Sequence, residues 1–238
     1  MKLFFIAVIS IATLSRSAQA DELADLKTKL ADWPQLTHYQ EENAALLPPA
    51  PGERRVVFYG SSTTENWGRR YGSVFFPGKP YVNRGISGQT TPQMLVRFQQ
   101  DVVKLHPSVV VFLGGTNDVA GNTGPMTLEM TENNIRSMVA IAQANGIKMI
   151  LASQLPVRDF PWNKGTHPEA RLLALSAWEK DYAASNGLGY IDYYSVLAGP
   201  DGDFRPGLAV DGVHPNAKGY ELMAPLAEKA ISDALTRP

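Results

Sequence analysis

Short apolar runs alternate with longer amphipathic segments along most of this chain. The apolar runs are rich in β-branched and aromatic residues and predict strands at 54–60, 81–85, 108–115, 147–153 and 188–194. Segments with helical character lie after them, at 91–105, 127–146, 167–187 and 216–235. Strand–helix alternation with short connections predicts parallel strands joined by right-handed crossovers. The expected fold class is therefore α/β, a three-layer α/β/α sandwich.

Individual residues mark several boundaries of these elements. Pro92 suits the first turn of a helix, and Thr127 is a plausible N-cap. Gly146 stands where a left-handed residue would end a helix, and Pro225 is expected to kink the last one. The run 108–115 is bounded by Pro107 and ends in two glycines, which is typical of a strand buried on both faces.

The N-terminus has the pattern of an export signal. Lys2 precedes twelve mostly apolar residues, 3–14, and Ala18-Gln19-Ala20 matches a signal-peptidase site. The run is shorter than the roughly 20 residues that span a bilayer, so no stable membrane anchor is expected. We predict a signal peptide at 1–20, a helical lead-in and proline-rich connector at 21–53, and one domain at 54–238. The location would be the periplasm or the extracellular space.

The amino-acid composition argues against several classes of function. The net charge is −1 and no basic patch is visible, so nucleic acid is not an expected partner. Cysteine is absent, which excludes disulfides, a thiolate nucleophile and any cysteine-ligated metal. No histidine pair has metal-ligand spacing, so neither a metal nor another cofactor is predicted. The oligomeric state stays open.

Candidate chemistry lies where predicted strands end, because parallel sheets bind ligands beyond their carboxyl ends. Polar and glycine-rich stretches fall there or in the late loop, at 60–64, 83–90, 114–122 and 211–216. Taken singly, each has a plain structural explanation: a helix cap, a turn, or a solvated histidine.

Taken together, the four stretches contain the parts of a serine hydrolase. Such an enzyme needs a hydroxyl, a base, a carboxylate that orients the base, and oxyanion donors. Asp211 and His214 are three residues apart in one loop, so the carboxylate can reach the imidazole. Gly88 and Asn117 follow neighbouring strands and could donate to one oxygen. The first stretch leaves two adjacent serines, 61 and 62, as possible nucleophiles.

At these residues the sequence resembles the SGNH (GDSL-type) hydrolase superfamily. Its four blocks occur in order as GSSTT, NRGISG, GGTND and DGVHP, and the resemblance covers about residues 54–235. It implies Ser62 as the nucleophile, His214 as the base and Asp211 as its partner. It also implies an oxyanion hole of Ser62, Gly88 and Asn117, and a five-stranded parallel sheet in the flavodoxin-like order 2-1-3-4-5.

One position departs from the pattern of true GDSL lipases. The residue before the nucleophile is Ser61 rather than Asp, and Trp67 lies five residues after the nucleophile. This form resembles the Gly-Ser-Ser branch of platelet-activating-factor acetylhydrolase-like and carbohydrate-esterase-like enzymes. We predict Trp67, Asp118 and Trp162 as substrate contacts, the last in the loop 155–166 that follows the fourth strand.

The expected function is an exported serine esterase acting on short-acyl esters, above all acetyl esters of carbohydrates or similar small esters. A lysophospholipase, lipase or thioesterase acting on longer chains is the alternative, although no long apolar lid segment is visible. Two other classes are weaker. A non-catalytic binding module would lack part of the triad, and a phosphate-binding flavodoxin-like protein would leave the Asp211–His214 pair unexplained.

Overall fold

The computed structural model describes residues 19, 21–28 and 30–237. Except for Gln19, the predicted signal peptide lies outside the described residues. The sheet is parallel and has five strands in the order β2-β1-β3-β4-β5, which confirms the predicted fold. The strands are β1 (Val56–Gly60), β2 (Tyr81–Gly85), β3 (Val109–Leu113), β4 (Lys148–Ala152) and β5 (Gly189–Ile191).

Helices cover both faces of the sheet and connect its strands. They are α1 (Gln40–Ala45), α2 (Ser62–Asn66), α3 (Thr91–Asp101), α4 (Thr116–Ala120), α5 (Leu128–Ala144), α6 (Glu169–Ser185), α7 (Tyr193–Leu197) and α8 (Ala217–Thr236).

Successive residues of each strand enter two separate apolar cores. Phe58 and Val111 point to the face covered by α8, where they pack with Tyr220 and Met223. Their neighbours point to the opposite face, covered by α3 and α5. Burial on both faces explains why the strands are continuous apolar runs rather than alternating ones.

Two elements end three or four residues earlier in the structure than the sequence pattern predicts. The helix predicted at 91–105 ends at Asp101, and a short 3-10 turn, Val103–Leu105, follows it. The strand predicted at 188–194 ends at Ile191, because Asp192 caps α7 by accepting the Ser195 N–H at 3.0 Å. Apolar composition cannot separate a strand from the helix turn that continues it.

Other boundary predictions agree with the structure more closely. The side chain of Thr127 accepts the backbone N–H of Met130 and caps α5. Gly146 has a φ of +69°, in the left-handed region that favours glycine. Pro225 lies inside α8, which runs from Ala217 to Thr236, and the kink expected there stays a prediction.

The segment 32–45 packs on the domain. Tyr39 is fully buried, and its hydroxyl donates to the carbonyl of Gly85 at the end of β2. Side chains of α3 donate to main-chain oxygens of the segment, Gln93 to Trp33 and Gln100 to Leu36. Within the described part of the chain, no helix is long and apolar enough to cross a bilayer.

Candidate active site

The end of β1 turns sharply into α2 and brings two serines to the carboxyl edge of the sheet. Gly60 occupies the turn because a Cβ there would collide with the carbonyl oxygen of Leu113 and the hydroxyl of Thr64. Ser61 is the N-cap residue of α2, although its side chain makes no capping hydrogen bond. Ser62 is the first helical residue. The close approach of β3 therefore determines where the serines lie.

Ser62, His214 and Asp211 form a continuous chain of hydrogen-bonding contacts. The hydroxyl oxygen of Ser62 lies 2.8 Å from Nε2 of His214. The other ring nitrogen, Nδ1, lies 2.8 Å from Oδ2 of Asp211. Since an ionised carboxylate accepts, Nδ1 carries the proton and Nε2 is free to accept one from the serine. Of the two serines, Ser62 is the one whose hydroxyl reaches the imidazole.

The environment of Asp211 keeps it ionised. Burial acts to raise its pKa, but hydrogen bonds from the ring and backbone of His214 and from the Val213 backbone outweigh this, and the pKa lies below its usual value. A carboxylate in this position can stabilise the positive charge that develops on an imidazole when it takes up a proton.

Asn117 and Ser62 line the same small pocket at the edge of the sheet. The amide nitrogen of Asn117 donates one hydrogen to the carbonyl of Gln89 at 2.9 Å, and its second hydrogen has no acceptor among the residues that the structure describes. The other residues around this pocket include the apolar side chains of Leu113, Leu155, Val157 and Val213. Asn117 is thus held where an amide donor can serve the oxygen of a bound acyl group.

Gly88 lies in the loop after β2. Its φ of +78° is in the left-handed region, which favours glycine. Its carbonyl accepts from the side chain of Asn122 at 3.1 Å. Among the residues that the structure describes, its N–H has no acceptor. This backbone donor is free for a ligand.

Several supports of the serine turn were not predicted from the sequence. The hydroxyl of Tyr220 donates to the carbonyl of Thr63 at 2.8 Å, and Asn83 donates to the carbonyl of Thr64 at 2.6 Å. The fully buried Arg97 donates to the carbonyl of Gly60 at 3.0 Å and lies over the ring of Tyr59. No local pattern marks these contacts, since they join residues far apart in the chain.

The prediction that Trp67 contacts substrate is wrong. Its side chain is 3% exposed and lies in the core beneath the turn, against Phe58, Phe76 and Tyr220. The indole N–H donates to the carbonyl of Val74 at 3.0 Å, so the polar atom is satisfied inside the protein. Trp67 is therefore a structural residue.

The prediction that Asp118 contacts substrate is also wrong. This carboxyl group is 1% exposed and accepts from the N–H and hydroxyl of Thr91 and from the hydroxyl of Thr131. Burial is the largest influence and raises its pKa, while these hydrogen bonds oppose the shift. Asp118 joins the start of α3 to α5 rather than facing the pocket.

Trp162 stays a prediction. It is half exposed and stacks on Phe160 with ring centroids 5.1 Å apart. Its loop is held by Asp159, which accepts the backbone N–H groups of Gly165 and Thr166. Trp162 is not among the residues that line the pocket of Ser62. A contact with substrate would therefore lie outside that pocket.

The described residues hold no group of three histidine or acidic side chains arranged to bind a metal ion. In the described part of the chain, the polar residues that line the pocket are Ser61, Ser62, Thr63, Thr116 and Asn117, and of these Ser62 is joined to the imidazole of His214.

A parallel α/β sandwich with serine, histidine and aspartate joined at the carboxyl edge of its sheet is the arrangement found in serine hydrolases. The chain belongs to the GDSL-like lipase/acylhydrolase family, whose model matches residues 50–222. Members of this class are carboxylic ester hydrolases.

Two solved structures are similar over most of the chain. A protein described as an acylhydrolase, from Bacteroides fragilis, is 42% identical with a TM-score of 0.81 and covers 85% of this chain and 98% of its own. A GDSL-like lipase from Bacteroides thetaiotaomicron is also 42% identical, with a TM-score of 0.81, and covers 84% and 98%.

A curated relative is an acetylxylan esterase from Xylanibacter ruminicola. It is 27% identical over 219 residues, which cover 77% of this chain and 44% of the esterase. An uncharacterised lipoprotein of Bacillus subtilis is 33% identical over 79 residues, 32% of each chain. This chain thus spans less than half the length of the curated relatives it matches.

Proposed function

We propose that this protein is a serine esterase that removes short acyl groups, above all acetyl groups, from carbohydrates or similar small esters. The observation that carries the proposal is the contact of 2.8 Å between the Ser62 hydroxyl and Nε2 of His214. His214 is in turn held by Asp211 at 2.8 Å. A serine is a nucleophile at neutral pH when a positioned base takes its proton.

The first half of the reaction forms an acyl-enzyme. Ser62 Oγ attacks the ester carbonyl while its proton passes to Nε2 of His214. The carbonyl oxygen becomes an oxyanion that accepts from the N–H groups of Ser62 and Gly88 and from the amide of Asn117. His214 then donates its proton to the leaving alcohol, and the bond between carbonyl carbon and alcohol oxygen breaks.

The second half frees the carboxylic acid. Water loses a proton to His214 and attacks the acyl carbon, and the same donors stabilise the second oxyanion. The proton returns to Ser62 as its bond to the acyl group breaks. Asp211 remains ionised throughout and stabilises the imidazolium form of His214.

Three observations support a short acyl group and a carbohydrate alcohol. The pocket beside Ser62 is small and lined by the apolar side chains of Leu113, Leu155, Val157 and Val213, a space that suits an acetyl methyl group better than a long chain. The Xylanibacter ruminicola relative is an acetylxylan esterase. Trp162 follows β4 on the same edge of the sheet, and its half-exposed ring, which stacks on the buried Phe160, offers a surface for a sugar.

The test compares Ser62→Ala with Ser61→Ala, its neighbour, since among the described residues the contact of Nε2 of His214 is with Ser62 and not with Ser61. We expect Ser62→Ala to lose hydrolysis of p-nitrophenyl acetate and Ser61→Ala to retain most of it. Acyl length is tested with C2 to C12 p-nitrophenyl esters and acetylated xylo-oligosaccharides. A preference for C8 and longer esters would favour the lipase or thioesterase alternative instead.

Export is the remaining part of the proposal. It rests on the pattern of residues 1–20, which ends in Ala18-Gln19-Ala20. N-terminal sequencing of the protein recovered from the periplasm or medium should begin at Asp21. Recovery only from the cytoplasm, with Met1 retained, would contradict it.

A further inference from the structure

Glu65 joins the helix that carries Ser62 to the loop that carries Gly88. It lies one turn after Ser62 in α2. Its carboxylate accepts the backbone N–H of Ser87 at 2.8 Å and also the hydroxyl of Ser87. Ser87 immediately precedes Gly88. The mechanism above assigns Glu65 no role.

The glycine loop, residues 85–89, is held on both sides of the peptide that contains the Gly88 N–H. On one side Glu65 binds the N–H of Ser87. On the other, Asn122 binds the carbonyl of Gly88, and Asn117 binds that of Gln89. The Ser87–Gly88 peptide lies between these anchored groups, so its orientation depends on them.

The outer side of the glycine loop is held by the N-terminal segment 32–45. The side chain of Gln89 donates to the carbonyl of Pro34 at 2.8 Å, and Tyr39 donates to the carbonyl of Gly85. Nε2 of His38 lies 3.5 Å from the second carboxylate oxygen of Glu65. The loop therefore cannot compensate for a lost inner contact by moving outward.

The burial of Glu65 also indicates that its contacts with the glycine loop are needed to stabilise its carboxylate. Its side chain is 17% exposed, so most of its hydration is lost on folding. Burial of a carboxylate is unfavourable in free energy unless hydrogen bonds replace those lost to water. Two of the donors that do so here belong to a single residue of the glycine loop, Ser87.

We propose that Glu65 is a positioning residue of the oxyanion hole, which holds the Gly88 N–H at a set distance and direction from the Ser62 hydroxyl. The proposal rests on the proposed function. An oxyanion donor is effective only when it is in place before charge develops on the substrate. Because Glu65 and Ser62 share one short helix, a single side chain sets the position of the donor relative to the nucleophile.

The main test is Glu65→Ala. A displaced donor should lower kcat by about 10²-fold while KM changes little, since the donor acts mainly on the transition state. The affinity for a small boronic acid, which forms a tetrahedral adduct with a nucleophilic serine, should fall in parallel. Glu65→Gln keeps one acceptor oxygen for the Ser87 N–H and should restore most of the loss.

Glu53→Ala is the matched control. Glu53 also accepts a backbone N–H, that of Ala50 at 3.1 Å, and contacts Arg55, but it lies before the start of β1, at the far end of the sheet. Glu53→Ala should lower the melting temperature without changing kcat or boronate affinity. A purely structural role for Glu65 would give this same pattern and would overturn the proposal.

The outcomes separate this proposal from the proposed function. If Ser62→Ala remains active, the serine mechanism itself fails. If Ser62→Ala is inactive but Glu65→Ala has the wild-type kcat and boronate affinity, only the positioning role fails. Should Glu65→Ala not fold, the double variant Glu65→Gln with Ser87→Ala leaves a single hydrogen bond. It should lower kcat about tenfold, and an unchanged kcat would overturn the proposal.

Discussion

Asp211 holds His214 at two places with one carboxylate. Oδ1 accepts the backbone N–H of His214 at 2.9 Å, and Oδ2 lies 2.8 Å from its ring Nδ1. The spacing of three residues makes both contacts possible within one turn of chain. The orientation of the ring is therefore set inside the loop, and only its Nε2 depends on a distant partner, Ser62.

The first prediction concerns this carboxylate. Asp211→Asn should lower kcat by about 10³–10⁴-fold, because an amide favours the wrong imidazole tautomer and cannot stabilise the imidazolium. The measurement is kcat and KM with p-nitrophenyl acetate. Asp32→Asn is the control, since Asp32 also accepts two backbone N–H groups, those of Leu36 and Thr37, but lies in the N-terminal segment. A kcat within tenfold of wild type would contradict the assignment.

The second prediction concerns the side-chain donor. Asn117→Ala should lower kcat by about 10²–10³-fold with a smaller change in KM, since the lost hydrogen bond forms mainly in the transition state. Asn145→Ala is the matched control: its side chain donates to the carbonyl of Ile141 at the end of α5, away from the pocket. An effect of Asn117→Ala on KM alone would show that Asn117 binds substrate without stabilising the oxyanion.

The third prediction concerns stability against pH. Glu179 is fully buried, and both its oxygens lie 3.1 Å from the amide nitrogen of Gln154. Burial raises the pKa of Glu179 well above the usual value of 4.5, and the Gln154 hydrogen bond only partly opposes this. The unfolded chain releases this proton first, so the folded state loses stability as pH rises from 4.5 toward the raised pKa.

Glu179→Gln removes that titration and keeps the shape of the side chain. Its melting temperature relative to wild type should therefore increase across the pH range above about 5. Thermal unfolding of both proteins across this range is the measurement. A difference that stays constant with pH would mean that Glu179 does not hold a proton in the folded protein.

The fourth prediction separates two tryptophans. Trp67→Ala should destabilise the protein by about 3–5 kcal/mol, because it empties a core position beneath the serine turn. Trp162→Ala removes a half-exposed ring and should change stability by about 0.5 kcal/mol or less. It should instead raise KM for acetylated xylo-oligosaccharides and leave KM for p-nitrophenyl acetate unchanged. Denaturant unfolding measures the two stabilities, and steady-state kinetics with the two substrates gives the KM values. If Trp162→Ala and wild type have the same KM for acetylated xylo-oligosaccharides, Trp162 does not contact the substrate.

Much of the fold could be predicted because its signals are local. Buried parallel strands are continuous apolar runs, and the helices repeat every three to four residues, so each element is visible within a short window. The end of β5 could not be placed this way, because apolar residues continue from β5 into α7. Only Asp192, which caps α7, lies between the two elements. The order of the strands came from the family resemblance.

The site could be predicted only in part, because several of its contacts join residues that are far apart in the chain. Trp67 and Asp118 lie next to functional segments in the sequence, and that position suggested contact with substrate. Their burial depends on Tyr220 for the tryptophan and on Thr91 and Thr131 for the aspartate, which come from other parts of the chain. Glu65 was missed because its partner, Ser87, is 22 residues away.

The amino-acid sequence alone determines the strand and helix periodicity, the polar strand ends, and the local Asp211–His214 pair. The tertiary structure decides which of those polar groups meet. Ser62 and His214 are 152 residues apart, and the contact that distinguishes Ser62 from Ser61, a choice that the resemblance only implied, forms where β1 and the loop before α8 meet at one edge of the sheet. Local geometry follows from neighbours in the chain, whereas contact between distant loops follows from the packing of the whole sheet.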